Sequence, residues 1–362
     1  MSSNVLPLRL DDWEDAACAA LPRDVFDYIA GGAEDEVTLR ANRTAWQNVF
    51  LRPRVLVDVS KVDTSITLFG QQLAHPVLLA PAAFQRLLDA EGECATARAA
   101  RRSGSLLIAS TLATCSVEEI ANAAPGPFWF QVYVFRDRDV THALVERAIG
   151  AGASALCLTV SVPVQGRRER DVRNRFALPS GIELGNFRER QRAILPTETG
   201  SGLETYIKFE FDPSLTWHDL EWLCSISAIP VVVKGVVTPE DAHLAVDHGA
   251  GGVIVSNHGG RQLDGAEPTA LALPRVVRAL ERRAHVLVDG GIRRGSDVVK
   301  ALSLGADAVL IGRPYLWGLA LAGEEGVFMS LEHLRLETAR TMALVGRTRV
   351  ADLGPDLLSK PD

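Results

Sequence analysis

The stretch DVVKALSLGADAVLIG, residues 297–312, contains the pattern that decides the fold. An amphipathic helical segment ends at Gly305 and Ala306, and an apolar run of strand length follows directly. Glycine at the end of a helix allows the left-handed backbone conformation that stops it. The same order recurs in ALVERAIGAGASALCLTV, residues 143–160, and in AHLAVDHGAGGVIVSN, residues 242–257. The sequence therefore predicts repeated units in which a helix leads into a buried strand.

Apolar runs of strand length recur along the whole chain. They are VLLA (77–80), LLIA (106–109), WFQVYV (129–134), ALCLTV (155–160), PVVVK (230–234), GVIVS (252–256), HVLVD (285–289) and AVLIG (308–312). Runs that are apolar throughout, without alternation, are typical of parallel strands that are buried on both faces. Eight such strands with helices between them predict an α/β fold, a TIM-type (β/α)8 barrel.

Two stretches lie outside the bare barrel, which we predict over residues 71–350. Residues 1–70 predict an N-terminal helical extension. Residues 161–215 form a long connection after the fourth strand, and connections of this length are usually lids or mobile insertions. We expect the whole chain, residues 1–362, to form a single domain.

Composition and charge exclude several classes of protein. Hydrophobic residues make up 47% of the 362 residues and charged residues 23%, which is typical of a globular enzyme and not of a disordered chain. A formal net charge of −7 disfavours nucleic acid as the main partner. The scattered cysteines and histidines show no metal-ligand spacing, so no metal site is predicted.

The same sequence indicates a cytoplasmic protein. The five cysteines are scattered and contain no C-x-x-C pair, which predicts free thiols in a reducing compartment. The N-terminus is acidic where a secretory signal would need a basic start. No apolar run reaches the roughly 18–20 residues that a membrane helix requires, so no membrane partner is expected.

In a barrel of this kind the catalytic groups emerge from the carboxyl ends of the strands. Polar residues and glycines follow these ends at 289–293 (DGGIR) and 312–314 (GRP). Glycine lets backbone N–H groups approach an anion, and arginine supplies bidentate charge. A lone pair of glycines more often makes a tight turn, but two matched sites at adjacent strand ends predict a phosphorylated cofactor or substrate.

Two further side chains at strand ends are candidates for chemistry. His258 is either a structural hydrogen-bonding group or a general base, and Arg261, three residues on, is placed to bind a carboxylate. Lys234 ends a run of valines, so it either pairs with a carboxylate or places its charge against an electron-rich cofactor atom.

The heptapeptide SNHGGRQ, residues 256–262, resembles the active-site signature of the FMN-dependent α-hydroxy-acid oxidases and dehydrogenases. The resemblance extends over nearly the whole chain. The segments YIAGGAEDEVTLRANR, LLAPAAFQ, QVYV, LTVSVPVQGRRERDVRNRF, VVVKGVVTPEDA, DGGIRRGSDVVKAL and IGRP all occur in the family's order. It implies FMN as the cofactor and a homotetrameric assembly.

The resemblance also implies a set of site residues. The cofactor residues that it implies are Pro81, Ala82, Ala83, Ser110, Gln131, Thr159, Lys234, Ser256, Asp289, Gly290, Gly291, Arg293, Gly312 and Arg313. Lys234 would face the flavin N1/O2 edge and stabilise the reduced anion. His258 would be the catalytic base, Arg261 and Arg168 would hold the substrate carboxylate, and Tyr133 would hydrogen-bond the substrate.

Three positions depart from the family pattern. Phe26 replaces a tyrosine that contacts the substrate carboxylate in many members, and Leu112 stands where glycolate-type enzymes often have tryptophan. Together they predict an aryl pocket, similar to that of the 4-hydroxymandelate oxidases of glycopeptide-antibiotic biosynthesis. Ser161 replaces an aspartate that usually pairs with the base, so either turnover is weakened or another carboxylate substitutes.

These observations predict the oxidation of an (S)-2-hydroxy acid, mandelate or 4-hydroxymandelate, to the 2-oxo acid, with O2 reduced to H2O2. One alternative is a short-chain enzyme for glycolate or lactate, acting as an oxidase or as a dehydrogenase with another electron acceptor. The other is a non-redox, phosphate-binding barrel such as an isomerase.

Overall fold

The computed structural model of the protein describes residues 7–188 and 210–359. Its N-terminal part contains three helices, α1 (Leu10–Ala20), α2 (Arg23–Ala30) and α3 (Val37–Gln47). A short antiparallel hairpin follows them, formed by β1 (Ile66–Leu68) and β2 (Gln71–Leu73). The predicted N-terminal helices are therefore present, but the last residues of this region and those just after it form a hairpin. The two strands of the hairpin alternate with polar residues, so they give no apolar run in the sequence.

Eight parallel strands form the barrel, and the predicted TIM fold is confirmed. They are β3 (Val77–Leu79), β4 (Ile108–Ala109), β5 (Phe128–Val132), β6 (Ala153–Thr159), β7 (Val231–Val236), β8 (Gly252–Val255), β9 (His285–Val288) and β10 (Ala308–Ile311). They pair in the order β3-β10-β9-β8-β7-β6-β5-β4. A parallel bridge between Leu79 and Leu107 joins the two end strands, with the Leu79 N–H 2.9 Å from the Leu106 carbonyl.

Side chains fill the inside of this ring, as expected for a small barrel. The inward-facing members of the strands pack as one buried cluster that includes Leu78, Trp129, Ile254 and Leu310. The β1–β2 hairpin closes the amino-terminal end of the barrel, and its Phe69 ring meets Trp129 edge-on at 5.6 Å between centroids. Because this end is closed, only the carboxyl ends of the strands can form an open site.

Helices surround the barrel. After the N-terminal three they are α4 (Gly92–Ser103), α5 (Val117–Ala123), α6 (Arg138–Gly150), α7 (Glu169–Asn174), α8 (Trp217–Ile226), α9 (Pro239–Asp247), α10 (Thr269–Leu280), α11 (Gly295–Ser303) and α12 (Arg313–Leu344). The long α12 is interrupted by non-helical backbone at Ala322 and Gly323. None of the described helices combines the length and apolar character that a bilayer crossing needs.

Local sequence explains where these helices begin and end. Ser116 and Glu119 form a capping box at the start of α5, so two exposed backbone donors are satisfied. Gly305 ends α11 with φ +104, a conformation that a side chain would strain, and a Cβ there would lie 2.6 Å from Val277. The glycine stop predicted from residues 297–312 is therefore confirmed.

The predicted insertion, residues 161–215, is described at its two ends. The first part passes close to the loop after β8, where a Cβ on Gly166 would lie 2.6 Å from the Gln262 Cα. This part then forms α7, which packs against α2. Residues 189–209, the middle of the predicted lid, lie outside the described residues.

Candidate active site

A cleft opens at the carboxyl ends of the barrel strands. Most of the residues that the sequence predicts for the cofactor line it. They are Pro81, Ala82, Ala83, Ser110, Gln131, Thr159, Lys234, Asp289, Gly290, Gly291, Arg293, Gly312 and Arg313. The predicted substrate residues Leu112, Tyr133, Arg168, His258 and Arg261 line the same cleft. The structure therefore brings together side chains that are far apart in the sequence.

Several buried polar atoms in this cleft have no partner among the described residues. They include Gln131 Nε2, Thr159 Oγ1 and Asp289 Oδ1. Gln131 is oriented by its other amide atom, because Oε1 accepts the Thr111 N–H at 3.1 Å and the Ser110 hydroxyl at 3.3 Å. Buried polar groups are nearly always paired, so unpaired donors and acceptors in one cleft fit a bound ring with complementary edges. A flavin has such a ring.

Lys234 lines the cleft and forms an ion pair with a carboxylate, the first of its two predicted alternatives. Its Nζ is 3.0 Å from Asp289 Oδ2 and donates a hydrogen bond of 2.9 Å to Ser256 Oγ. The side chain is 4% exposed, so its charge is shielded from water and acts strongly on whatever fills the cleft. Lys234 thus forms the ion pair with Asp289 and also lines the cleft.

Ser256 itself does not line the cleft, although the family resemblance implies it as a cofactor residue. It is fully buried, and its hydroxyl accepts hydrogen bonds from Lys234 Nζ and, at 3.1 Å, from the His258 N–H. The physical reason is its register position at the end of β8, below the rim of the barrel. Ser256 therefore contacts two cleft residues instead of the cleft.

The loops after β9 and β10 form one end of the cleft, as predicted for an anion site. Gly290 and Gly291 have φ of +94 and +85, which only glycine adopts without strain. Helix α12 begins at Arg313, directly after Gly312, so the positive end of its dipole lies at the cleft. Burial and the neighbouring Arg261 lower the pKa of the Arg313 guanidinium to about 9. An anion here would relieve the crowding of positive charge.

His258 also lines the cleft, in a strained backbone. Its φ is +57, and Gly259 and Gly260 follow with φ of +64 and +75. The Asn257 side chain holds this turn by accepting the Gly260 N–H at 3.2 Å. Non-glycine residues in the left-handed region often occur at functional sites, where the surroundings enforce the geometry. The contacts that enforce this backbone conformation thus also set the direction in which the imidazole leaves the main chain.

The electrostatics of His258 favour the neutral imidazole. Burial lowers the pKa well below its ordinary value, and the cations of Lys234, Arg168 and Arg261 lower it further. Nδ1 lies 3.0 Å from the Ser161 hydroxyl. The structure therefore places Ser161, as the sequence predicts, directly against the imidazole, where it supplies a hydrogen bond and no charge.

Two arginines lie beside His258. Arg261 donates to the Gly31 carbonyl at 2.8 Å, and its guanidinium carbon lies 5.2 Å from the centre of the Tyr28 ring. Burial and the neighbouring Arg168 lower the Arg261 pKa to about 10. Arg168 Nε has no partner among the described residues. Two adjacent cations with an unused donor form a site for a carboxylate.

Phe26 does not line the cleft, in contrast to the prediction. It is buried and stacks on Trp317 of α12 with 5.2 Å between ring centroids. The residues of α2 that line the cleft are Tyr28 and Ile29. Two positions along a helix differ by about 200° in direction, so Phe26 and Tyr28 cannot face the same way. Strand-end reasoning could not find Tyr28, and its only signal was the matching YIAGG segment.

Apolar side chains complete the wall of the cleft near the base. Leu112 is 5% exposed and lies on the same wall as Tyr133, whose ring stacks on Phe211 at 4.6 Å between centroids. Burial raises the pKa of the Tyr133 hydroxyl above its usual range, so it remains a hydrogen-bond donor. Val162 and Leu316, for which the sequence gives no signal, also line the cleft.

Comparisons with known proteins agree with this geometry. The family model for FMN-dependent dehydrogenases matches residues 17–360. L-lactate oxidase of Nostoc sp. is 49% identical over 357 residues, covering 97% of this chain and 98% of the relative. Glycolate oxidase 3 of Arabidopsis thaliana is 50% identical over 335 residues, covering 92% and 91%. A crystal structure of mandelate oxidase with (S)-4-hydroxymandelic acid superposes with a TM-score of 0.92 at 46% identity, covering 98% of each chain.

The chain belongs to the FMN-dependent dehydrogenase family and is an FMN-dependent 2-hydroxy-acid oxidase. FMN is the cofactor that this family uses. The cleft fits it, because it offers unpaired polar atoms at its centre and an anion site at one end.

Proposed function

We propose that the protein oxidises an aryl (S)-2-hydroxy acid, mandelate or 4-hydroxymandelate, to the 2-oxo acid and passes the electrons to O2, forming H2O2. The observation that carries this proposal is that the apolar residues Leu112, Val162 and Leu316 line the same cleft as His258 and the arginines. Apolar lining stabilises an aromatic side chain more than a short polar acid. The structural likeness to a mandelate oxidase supports the same substrate class.

In this proposal Arg261 and Arg168 bind the substrate carboxylate and so fix the α-carbon between the base and the cofactor position. Tyr133 donates a hydrogen bond to a substrate oxygen, because its hydroxyl keeps its proton. Holding both reacting groups in this geometry removes most of the entropy that the encounter would cost. Bound FMN would supply the two-electron acceptor.

His258 accepts the proton. With Nδ1–H donated to Ser161 Oγ, Nε2 carries the lone pair that the reaction needs. Lys234, held by Asp289 and Ser256, would lie at the cofactor ring and compensate negative charge there. Pro81, Ala82, Ala83 and Gln131 would hold the ring, and the loops at Gly291 and Arg313 would hold the phosphate.

A short-chain substrate is the second candidate, and the sequence comparisons favour it. The lactate and glycolate oxidases are 49% and 50% identical to the chain, whereas the mandelate oxidase is 46% identical. Overall identity reflects the whole barrel, and substrate choice depends on a few cleft residues. The two candidates therefore need a direct comparison of substrates.

The test compares kcat/KM for O2 consumption with (S)-mandelate, (S)-4-hydroxymandelate, glycolate and L-lactate. We expect the aryl acids to give the highest values, and L112W to lower these values on the order of tenfold more than those for glycolate, because overpacking costs about 1–3 kcal/mol. L271W adds the same side chain where Leu271 is 52% exposed and should change nothing. Higher kcat/KM for glycolate or lactate in the unmodified protein would contradict the aryl proposal.

We also propose a cytoplasmic homotetramer, folded as a single domain, that acts in an antibiotic-type biosynthetic pathway. The five free cysteines support the compartment, and the family resemblance supports the assembly and pathway. Light scattering of the purified protein would give the mass of four chains, and the mass of one chain would contradict it.

A further inference from the structure

Two of the five cysteines lie together outside the cleft. Cys94 is half-buried in the first turn of α4, and Cys115 is buried in the loop between β4 and α5. The Glu91 carbonyl accepts the Cys94 N–H at 3.1 Å and the Cys115 thiol at 3.5 Å. The two cysteines thus share one backbone acceptor and lie side by side, and each side chain influences the ionisation of the other.

The surrounding backbone holds the two cysteines in place. The Glu93 carboxylate accepts the Cys115 N–H at 3.1 Å and the Thr114 N–H at 3.0 Å, so the loop is fixed against the first turn of α4. On the other side, Gly185 packs so closely that a Cβ there would lie 2.3 Å from the Cys115 carbonyl carbon. Therefore the main chain on both sides of Cys115 is held in place beside the first turn of α4.

The two thiols differ in reactivity in the way that peroxide chemistry requires. Cys94 is half-buried in the first turn of α4, where the helix N-terminus favours a thiolate, whereas Cys115 is buried. The interaction between the two side chains lowers the Cys94 pKa, and the same interaction, together with burial, raises the Cys115 pKa. Cys94 is therefore the thiol of the pair that ionises more readily. A thiol of this kind next to a second cysteine is the arrangement of a redox-sensitive thiol pair.

We propose that Cys94 and Cys115 are a modification site that hydrogen peroxide, the product of the protein's own oxidase reaction, converts to a disulfide. The supply of peroxide rests on the proposed function. The Cys94 thiolate attacks one peroxide oxygen, the O–O bond breaks, and hydroxide leaves, which gives a sulfenic acid. The Cys115 thiol then attacks that sulfur, and the S–S bond forms as water leaves. Two thiols are oxidised, and peroxide is reduced to two waters once the hydroxide takes up the proton that Cys94 released.

The first experiment adds about one equivalent of H2O2 to the holoenzyme without substrate, followed by non-reducing peptide mass spectrometry. We expect one Cys94–Cys115 cross-linked peptide and the loss of two of the five thiols. C115S should instead give a sulfenic acid at Cys94 that dimedone traps. Cys224 is the matched control, because it is also half-buried but burial raises its pKa. Oxidation of Cys224 before Cys94, or an intact pair, would overturn the proposal.

The second experiment replaces added peroxide by (S)-4-hydroxymandelate and air, with and without catalase. We expect the same disulfide, and catalase should prevent it. If added peroxide forms the disulfide but turnover does not, the thiol pair stands and the peroxide supply of the proposed function fails. If added peroxide leaves the pair intact, the modification site is wrong whatever turnover gives.

Discussion

At the scale of single residues, the contact between His258 and Ser161 sets the chemistry of the base. The imidazole Nδ1 faces a hydroxyl at 3.0 Å, while cations of Lys234 and Arg168 surround the ring. A hydroxyl orients the ring, but it does not stabilise a positive charge as a carboxylate would. Burial and the surrounding cations depress the pKa of His258, and the hydroxyl does not offset them, so the neutral base persists as pH falls below the ordinary value for histidine.

The substitution S161D tests this account. A carboxylate within about 4–6 Å favours imidazolium, so the acid limb of kcat/KM should move upward by roughly 1–3 pH units. As the pH falls, S161D should therefore lose activity at a higher pH than the unmodified protein, because its base is protonated at a higher pH. S161A, which removes the hydroxyl without adding charge, should leave the limb near its original position. An unchanged limb in S161D would show that the group titrating in the profile is not His258.

At the scale of elements, the turn after β9 couples the cleft to the N-terminal helices. Gly291 has φ +85, and a Cβ there would lie 2.3 Å from the Asn42 carbonyl oxygen of α3. The Gly290 carbonyl accepts the Trp46 indole N–H at 2.7 Å, which ties the same turn to that helix. The position of this turn, and hence of the phosphate end of the cleft, depends on close backbone packing.

We expect G291A to weaken FMN binding by at least tenfold and to lower the thermal midpoint, since strain of about 1–3 kcal/mol comes in addition to the steric conflict. Fluorescence titration of the apoprotein with FMN measures the first effect, and calorimetry the second. G150A is the control, because a Cβ at Gly150 meets nothing within 4 Å. Wild-type FMN affinity in G291A would mean that this turn does not hold the cofactor.

The sequence predicts the elements well where a run is long and apolar throughout. All eight barrel strands match predicted runs, although β7 continues through a bulge at Gly235 to Val236, beyond the predicted end at Lys234. The β1–β2 hairpin was not predicted, because its strands are short and alternate with polar residues. The site residues at strand ends could be predicted because each apolar run also marks where its strand ends. Tyr28 could not be predicted in this way, since its place depends on how a helix packs across the barrel mouth.

At the scale of the whole molecule, a cleft with cations at one end should make the fold respond to its cofactor. Arg293 is buried and Arg313 is part-buried, and desolvation lowers the pKa of both guanidiniums. A ligand that binds only the folded state stabilises it by mass action, about 2.7 kcal/mol at 100 times Kd. The phosphate should account for much of that gain.

Thermal unfolding of the apoprotein with FMN or riboflavin checks this expectation. We expect FMN to raise the midpoint clearly and riboflavin, which lacks the phosphate, to raise it much less at equal concentration. High salt should reduce the difference only partly, because buried charges are screened less than exposed ones. Equal shifts with the two ligands would contradict the assignment of the anion site to the loops after β9 and β10.

The most direct test of the central claim is anaerobic stopped-flow absorbance of the holoenzyme's flavin band. We expect rapid bleaching by (S)-4-hydroxymandelate and much slower bleaching by glycolate and L-lactate. In H258N we expect bleaching to be slowed at least a hundredfold, since a positioned general base contributes about 10²–10⁴-fold. Faster bleaching by glycolate or lactate would contradict the aryl substrate, and an unslowed H258N would contradict the role of the base.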